Sequence, residues 1–336
     1  MLRYFEIMAR RKIICIVGPT ASGKTGLGVY LAKKVGGEIV SADSRQVYKK
    51  LDIGSGKDLE EYGDIKYHLI DVVKPEEKFT MFDWLEKARI IIEDIFDRGK
   101  VPIIVGGTGL YVKALVQGFY ITQKVKIKKY SHNSKLKNFS REELDERSLG
   151  QLQEIAKKLG LNTEKLDFQN PRRLIRAIER KQEGIKITKK KPDFEALQIG
   201  ISTPREDLYE KIDRRVESRF KDGMLEEVKR LIDSGVSTKW LLQLGLEYRI
   251  ITEYLLCHPA LDAGSKSIDS RFRENDNKSG NKDGENDKFE EMKQELKWKS
   301  HGYARRQLTW LRRFPEIKWV KDKKEAEKIA KDFFRK

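Results

Sequence analysis

Between Lys12 and Gly118, short apolar runs alternate with stretches of helical period. Lys12–Val17 (KIICIV) is an unbroken apolar run that enters a glycine-rich turn, the pattern of a strand buried on both faces. Thr25–Val35 then sets Leu27, Leu31 and Val35 on one helical face. Glu38–Ala42, Tyr67–Val73 and Val101–Val105 read as three further strands. Thr80–Arg98 reads as a helix, with Trp84, Ala88, Ile91 and Ile95 in register and Gly99 closing it; another helix starts at Thr108. Strands followed by helices at short spacing predict an α/β fold, a parallel sheet with flanking helices on both faces.

Beyond Gly118 the texture changes. Residues 121–140 are rich in lysine, serine and asparagine and read as a linker or mobile arm. The pattern from Arg141 to about Gly184 is helical, with Pro171 suited to a first helical turn. Ala196–Ser202 returns to strand texture, so the sheet is expected to resume there, followed by helices at about 204–220, 222–234 and 241–256. Between 264 and 288 the only large apolar residues are Ile268 and Phe272, so 258–288 is predicted to be a disordered insertion in a surface loop. A last long helix over about Phe289–Arg313, a short strand and a short helix follow. The expected organisation is an extension (1–11), a core in two parts (12–120 and 196–257), a helical insertion domain (121–195), the polar insertion (258–288) and a C-terminal part of the core (289–336).

Charge adds a partner to this picture. The 336 residues carry 70 Lys+Arg against 53 Asp+Glu, a formal charge of +17. The excess sits in two blocks: residues 121–191 hold 20 basic and 9 acidic side chains, and 289–336 hold 15 and 8. Such blocks suit a polyanion such as RNA, or else a generally lysine-rich, solvated surface. No apolar run approaches the roughly 18 residues of a membrane span, and MLRYFEIMARRK lacks the apolar stretch of a secretory signal. Two cysteines, Cys15 and Cys257, supply neither a disulfide framework nor a zinc site. A reduced, cytoplasmic protein without membrane attachment is expected.

The candidate chemistry starts at Gly18-Pro19-Thr20-Ala21-Ser22-Gly23-Lys24-Thr25, an ungapped G-x-x-x-x-G-K-[ST] between a predicted strand and a predicted helix. Its backbone N–H groups and helix N-terminus point at an anion, Lys24 adds a charge, and Thr25 is placed to help hold Mg²⁺ on phosphates. The fold is therefore P-loop NTPase-like, and the loop signals a pyrophosphate or a nucleotide. The apolar strand VPIIV ends in Gly-Gly-Thr rather than in the Asp that ATP-hydrolysing relatives use to place metal and water. Asp71, in His68-Leu69-Ile70-Asp71, is a substitute or merely a turn residue. Asp43, with Ser44, Arg45 and Gln46, follows the second strand at the edge where parallel sheets place ligands. It is a candidate base for an acceptor group or the N-cap of a short helix. Gly106-Gly107-Thr108-Gly109 is a second turn at that edge. Arg172, Arg173 and Arg176 share one helix, Arg215 and Arg219 lie four apart on another, and Arg305, Arg306, Arg312 and Arg313 interleave with Tyr303, Trp310 and Phe314. These sets suit phosphates and unstacked bases, or a solvated helix face.

GPTASGKT, DSRQVYK with DIG, HLIDVV, PIIVGGTGLYVKAL, NPRRLIRAIE, RVESRFKDGMLEEV and RRQLTWLR together resemble, in order, the blocks of the tRNA dimethylallyltransferases, the bacterial tRNA isopentenyltransferases. The resemblance covers most of 12–320 outside 258–288. It implies transfer of a five-carbon group from dimethylallyl diphosphate to N6 of the adenosine 3′ of the anticodon (position 37), in tRNAs reading codons that begin with U, with no ATP consumed. On this resemblance Asp43, Thr20 and Arg219 are catalytic: Asp43 meets the N6 amine, and Thr20, Lys24 and Arg219 hold the diphosphate with Mg²⁺, which Thr25 helps to bind. Asp43, Ser44, Arg45, Gln46 and Thr108, with Arg172, Arg173, Leu174, Ile175 and Arg176, match segments that touch tRNA, and the insertion domain grips the anticodon stem-loop of a substrate bound by a monomer. Ser55-Gly56-Lys57-Asp58 departs from the usual Thr-Ala-Lys-Pro. A P-loop nucleoside or nucleotide kinase and a non-enzymatic RNA-binding protein are the competing readings.

Overall fold

The computed structural model describes residues 11–124, 138–162, 166–257 and 282–335. Two compact units result: Met1–Val116 with Pro192–Lys336, and Gln117–Lys191.

The first unit is organised by β1 (Lys12–Val17), all six residues of which are buried. It pairs in parallel with β4 (Val101–Gly106) on one side and β7 (Glu195–Ile201) on the other. β2 (Gly37–Ser41), β3 (Tyr67–His68) and β8 (Lys318–Val320) complete a six-stranded, all-parallel sheet in the order β3-β2-β4-β1-β7-β8. Helices cover such a sheet on both faces, which is why its strands are continuous apolar runs. The connections include α1 (Lys24–Val35), α2 (Met81–Asp97) and α3 (Gly109–Val116). Thr80 and Asp83 form a reciprocal capping box that starts α2. From α2 the buried Trp84 donates Nε1 to the Ser41 carbonyl at 2.8 Å, locking the helix to the end of β2.

The strand expected over Tyr67–Val73 is only two residues long. Leu69 and Asp71 take positive φ (63° and 56°), which turns the chain out of the ladder, and Val73 returns only as an isolated bridge to Tyr48. The helix expected over 241–256 is two helices, α9 (Thr238–Leu244) and α10 (Leu246–Cys257), separated at Gly245. Before them come α7 (Arg205–Lys221) and α8 (Met224–Asp233). The long helix α11 (Lys282–Leu311) begins seven residues before the predicted start, so 282–288 are helical where disorder was expected. The rest of that predicted insertion, 258–281, lies outside the described residues. α12 (Lys323–Arg335) ends the unit.

The second unit, Gln117–Lys191, contains an antiparallel pair, β5 (Phe119–Lys124) and β6 (Ile185–Lys189), where a linker was expected from 121. The alternation in Ile185-Lys186-Ile187-Thr188-Lys189 is the local signal for it. Residues 125–137 lie outside the described residues. α4 (Arg141–Asp145), α5 (Leu149–Lys158) and α6 (Pro171–Gln182) follow, each opened by a side-chain cap from Ser140, Ser148 and Asn170, with Pro171 in the first turn. Leu144, Leu152, Leu174, Ile175 and Ile178 form their common core.

One buried charge cluster ties β2 to its neighbours. The Glu38 carboxylate, 1% exposed, accepts hydrogen bonds from Arg98, from Lys100 at 2.9 Å and from His68 Nε2 at 2.8 Å. Burial alone would raise its pKa, but those three partners hold it well below the usual carboxylate range. Glu38 therefore stabilises the fold fully above its ordinary pKa of 4.5 and loses that contribution as the pH falls through the depressed value. Glu38→Gln is expected to lower stability at pH 7 by about 2–3 kcal/mol. Denaturant titrations of both proteins between pH 7 and pH 3 should show that difference constant down to about pH 4.5 and shrinking below it.

Candidate active site

The cleft forms at the carboxyl edge of the sheet, where β1 stops at Val17 and the chain wraps back into α1. Its loop is tight: Ala21 and Gly23 have positive φ (59° and 82°), and a Cβ on Gly18 would lie 2.7 Å from Ser22 Oγ. That hydroxyl is buried with no hydrogen-bond partner among the described residues. Lys24 donates Nζ to the Pro19 carbonyl at 2.6 Å and makes no ion pair among the described residues. Burial, and next to it the charge of Arg215, lower the Lys24 pKa to about 8.

Two more cations arrive from α7, where the four-residue spacing of Arg215 and Arg219 sets both on one face. Arg215 donates Nη1 to Thr20 Oγ1 and Nη2 to Asp58 Oδ2, each at 3.3 Å. Arg219, 8% exposed, donates Nη1 to the Gly54 carbonyl at 3.3 Å and lies 3.8 Å from Glu247 Oε1; its Nη2 has no partner among the described residues. Burial and the neighbouring Arg215 lower its pKa to about 10. Three cations with too few anions, together with loop amides at a helix N-terminus, make a site for a polyvalent anion.

The facing wall comes from the ends of β2 and β4. Asp43 Oδ1 accepts from the Arg45 N–H at 2.9 Å, closing a turn over residues that form no helix, so Asp43 is not a helix cap. Thr108 accepts from the Ser44 N–H at 3.1 Å and donates its own N–H to the Ala42 carbonyl at 3.2 Å. Gln46 donates to the Gly56 carbonyl at 2.7 Å. Gln307 of α11 bridges the two walls: its Oε1 accepts from the Thr20 N–H at 2.9 Å and its Nε2 donates to the Gly107 carbonyl at 3.1 Å. One open cleft thus brings Thr20, Lys24, Thr25, Asp43, Arg45, Gln46, Arg215 and Arg219 together with Glu247, Tyr303 and Gln307.

The structure also reassigns several residues. Arg45 pairs with Glu247 and lies 6.0 Å from the Tyr303 ring centre, so its charge is already engaged in the cleft wall. Leu174 and Ile175 point into the core of the second unit and are not available for RNA contact, whereas Arg172, Arg173 and Arg176 on the same helix are exposed. Asp71 binds the buried Lys57 ammonium, which also holds Asp52 and the Tyr48 carbonyl, and is no strand-end metal ligand. Gly56, the departure in this loop, has φ +65°; a Cβ there would fall 1.8 Å from Arg219 Nη2 and 2.0 Å from Arg215 Nη2. Sequence reasoning gave Glu247 and Gln307 no role. Gln307 was at least marked by its basic, aromatic surroundings, whereas nothing beside Glu247 announces a partner two hundred residues away.

No group of three or more His, Cys, Asp or Glu among the described residues could hold a metal. The Thr25 hydroxyl and Asp43 carboxylate are hard oxygen donors lining the cleft, and that set fits Mg²⁺ carried mainly by phosphate oxygens.

The family model described as IPP transferase matches residues 46–314, and that described as isopentenyl transferase matches 11–64. The chain belongs to the IPP transferase family. Among its curated members, tRNA dimethylallyltransferase 2 of Shewanella sediminis is 40% identical over 93% of this chain and 94% of its own length. The tRNA dimethylallyltransferase of Acetivibrio thermocellus is 35% identical over 95% of each. Among solved structures, the tRNA isopentenylpyrophosphate transferase of Bacillus halodurans superposes with a TM-score of 0.62 at 29% identity, covering 97% of this chain and 96% of that one. A eukaryotic dimethylallyltransferase acting on tRNA shares the fold, with a TM-score of 0.65 at 24% identity over 96% of this chain and 79% of its own.

In this IPP transferase a bound anion should restore the full charge of Lys24. With its pKa lowered to about 8, Lys24 loses its charge as the pH rises through 8, so affinity for inorganic pyrophosphate is expected to fall over that range. Calorimetric titrations from pH 6.5 to 9.5 check this, with Lys24→Met as the control that removes the Lys24-dependent part of the slope.

Proposed function

We propose that this protein transfers the dimethylallyl group of dimethylallyl diphosphate to N6 of the adenosine 3′ of the anticodon (position 37) in tRNAs reading codons that begin with U. The observation that carries this reading is the pairing of an underneutralised cation cluster, Lys24, Arg215 and Arg219, with the Asp43 carboxylate in one cleft. The cations match a diphosphate that gains charge as it leaves. The carboxylate matches an amine that gains positive charge as it attacks.

In the step, the bond between N6 and C1 of the donor forms as the C1–O bond to diphosphate breaks. The electron pair of the broken bond leaves with the diphosphate, and N6 gives up one proton. Asp43 orients the amine and accepts that proton or stabilises its charge. Lys24, Thr20, Arg219 and the loop amides of Gly18–Thr25 receive the developing charge in a low-dielectric cleft, where such interactions are strongest. Thr25 would help hold Mg²⁺ on the diphosphate, and the ion would supply further charge neutralisation there. Because an exocyclic amine inside a stack is out of reach, the target base must swing out into the cleft. Ser44, Gln46 and Thr108 line or adjoin its path, and the exposed Arg172, Arg173 and Arg176 of the basic second unit bind anticodon-stem phosphates. The protein works as a monomer in the cytoplasm, on its RNA substrate and without ATP. Phosphoryl transfer is the poorer fit, because β4 ends in glycines and Asp71 is bound to Lys57.

The decisive assay combines the protein, Mg²⁺, dimethylallyl diphosphate and tRNA lacking the modification, with mass analysis of the released nucleosides. A dimethylallyl gain on adenosine is expected, reduced about 10²–10⁴-fold in Asp43→Ala. ATP turnover without RNA, and no modified adenosine, would replace this reading with a kinase.

A further inference from the structure

Glu227 lies outside the cleft lining, and the chemistry above leaves it without a task. It is 4% exposed, in the first turn of α8. Its Oε2 accepts from the backbone N–H groups of Asp52 (2.8 Å) and Ile53 (2.7 Å), and its Oε1 from those of Gly54 (3.0 Å) and the Tyr248 hydroxyl (2.9 Å). A buried carboxylate held by three successive amides is a rigid anchor, since each bond is charge-assisted and each amide would otherwise be stranded.

The anchored stretch runs directly into the cation cluster. The Gly54 carbonyl accepts from Arg219 Nη1 at 3.3 Å. Two residues on, the bare Cα of Gly56 leaves the space that both guanidinium groups occupy, and the Gly56 carbonyl receives Gln46 beside Asp43. Arg219 has no carboxylate closer than Glu247 at 3.8 Å among the described residues, so the Gly54 carbonyl is its short-range guide.

We infer that Glu227 is a positioning residue for the diphosphate: through the backbone of residues 52–56 it sets where the Arg219 guanidinium stands. The inference rests on the reading of the cleft as a diphosphate site. A merely structural Glu227 would stabilise the fold without any special coupling to Arg219.

The test is a double-mutant cycle read by calorimetric binding of inorganic pyrophosphate with Mg²⁺, at a temperature where melting curves show every variant folded. Glutamine keeps the shape of the side chain but sets an NH₂ against at least one of the amides. Glu227→Gln is expected to weaken pyrophosphate binding about tenfold. In Arg219→Ala, where Lys24, Arg215 and the loop amides keep binding measurable, the same change should cost less than about twofold. Affinity for tRNA should stay within about twofold throughout, as expected of an effect routed through one guanidinium. Equal losses in both backgrounds, or a parallel loss of tRNA affinity, would overturn the inference. Wild-type protein that binds no pyrophosphate would instead overturn the diphosphate reading and this inference with it. If Glu227→Gln is not recovered folded, Glu227→Asp carries the same cycle, because it keeps the charge while drawing it back by one methylene.

Discussion

The cleft is shaped by positive charge brought out of water without enough negative charge beside it. Lys24 and Arg219 both have lowered pKa values, and in both cases burial is the first cause and Arg215 the second. Left alone, such a cluster would be costly, so the surrounding structure works to hold it in place. The Pro19 and Gly54 carbonyls, Thr20 and Asp58 each take one hydrogen bond from it, and Glu247 stands at one end. None of these supplies enough negative charge to balance it. A polyvalent anion would offset that imbalance, which suits the cleft to such a ligand.

The parallel sheet is what lets this arrangement exist. All six strands end their carboxyl edges on one side, so the turns after β1, β2 and β4 deliver the glycine-rich loop Gly18–Thr25, Asp43 and Thr108 to a common place. α11 then closes the arrangement from outside the sheet. Gln307 joins the phosphate loop to the β4 turn, and Trp310 packs where Gly109 has no side chain; a Cβ there would come within 2.0 Å of the indole. The helix that carries a basic, aromatic sequence is therefore also a structural clamp on the loops that line the cleft.

The residues around Gly56 show how a departure in sequence is accommodated. Lys57 turns inward to Asp52, Asp71 and the Tyr48 carbonyl, and Gly56 takes a left-handed conformation beside two arginines. The loop thereby presents the Gly54 carbonyl to Arg219 and the Asp58 carboxylate to Arg215, and hides its own ammonium.

Local chemistry was enough to read much of this protein. The unbroken apolar run of β1, the phosphate loop after it, the capping residue Thr80 and Pro171 at the start of α6 all act within a few residues, so their consequences are legible in the chain. The same holds for the basic character of residues 121–191, which follows from composition. The failures were of another kind. The short β3, the break at Gly245 and the β5–β6 pair depend on backbone turns and on partners sixty or more residues away. Leu174 and Ile175 sat in an arginine-rich motif, and only packing showed that they face the core. Glu227 and Glu247 carry no local signature, since their partners lie between about twenty and two hundred residues away. Sequence alone determined which chemical groups were available and which short elements would present them. Tertiary structure decided which charges were left unpaired and which were already spent, because that balance is a sum over contacts that no single segment contains.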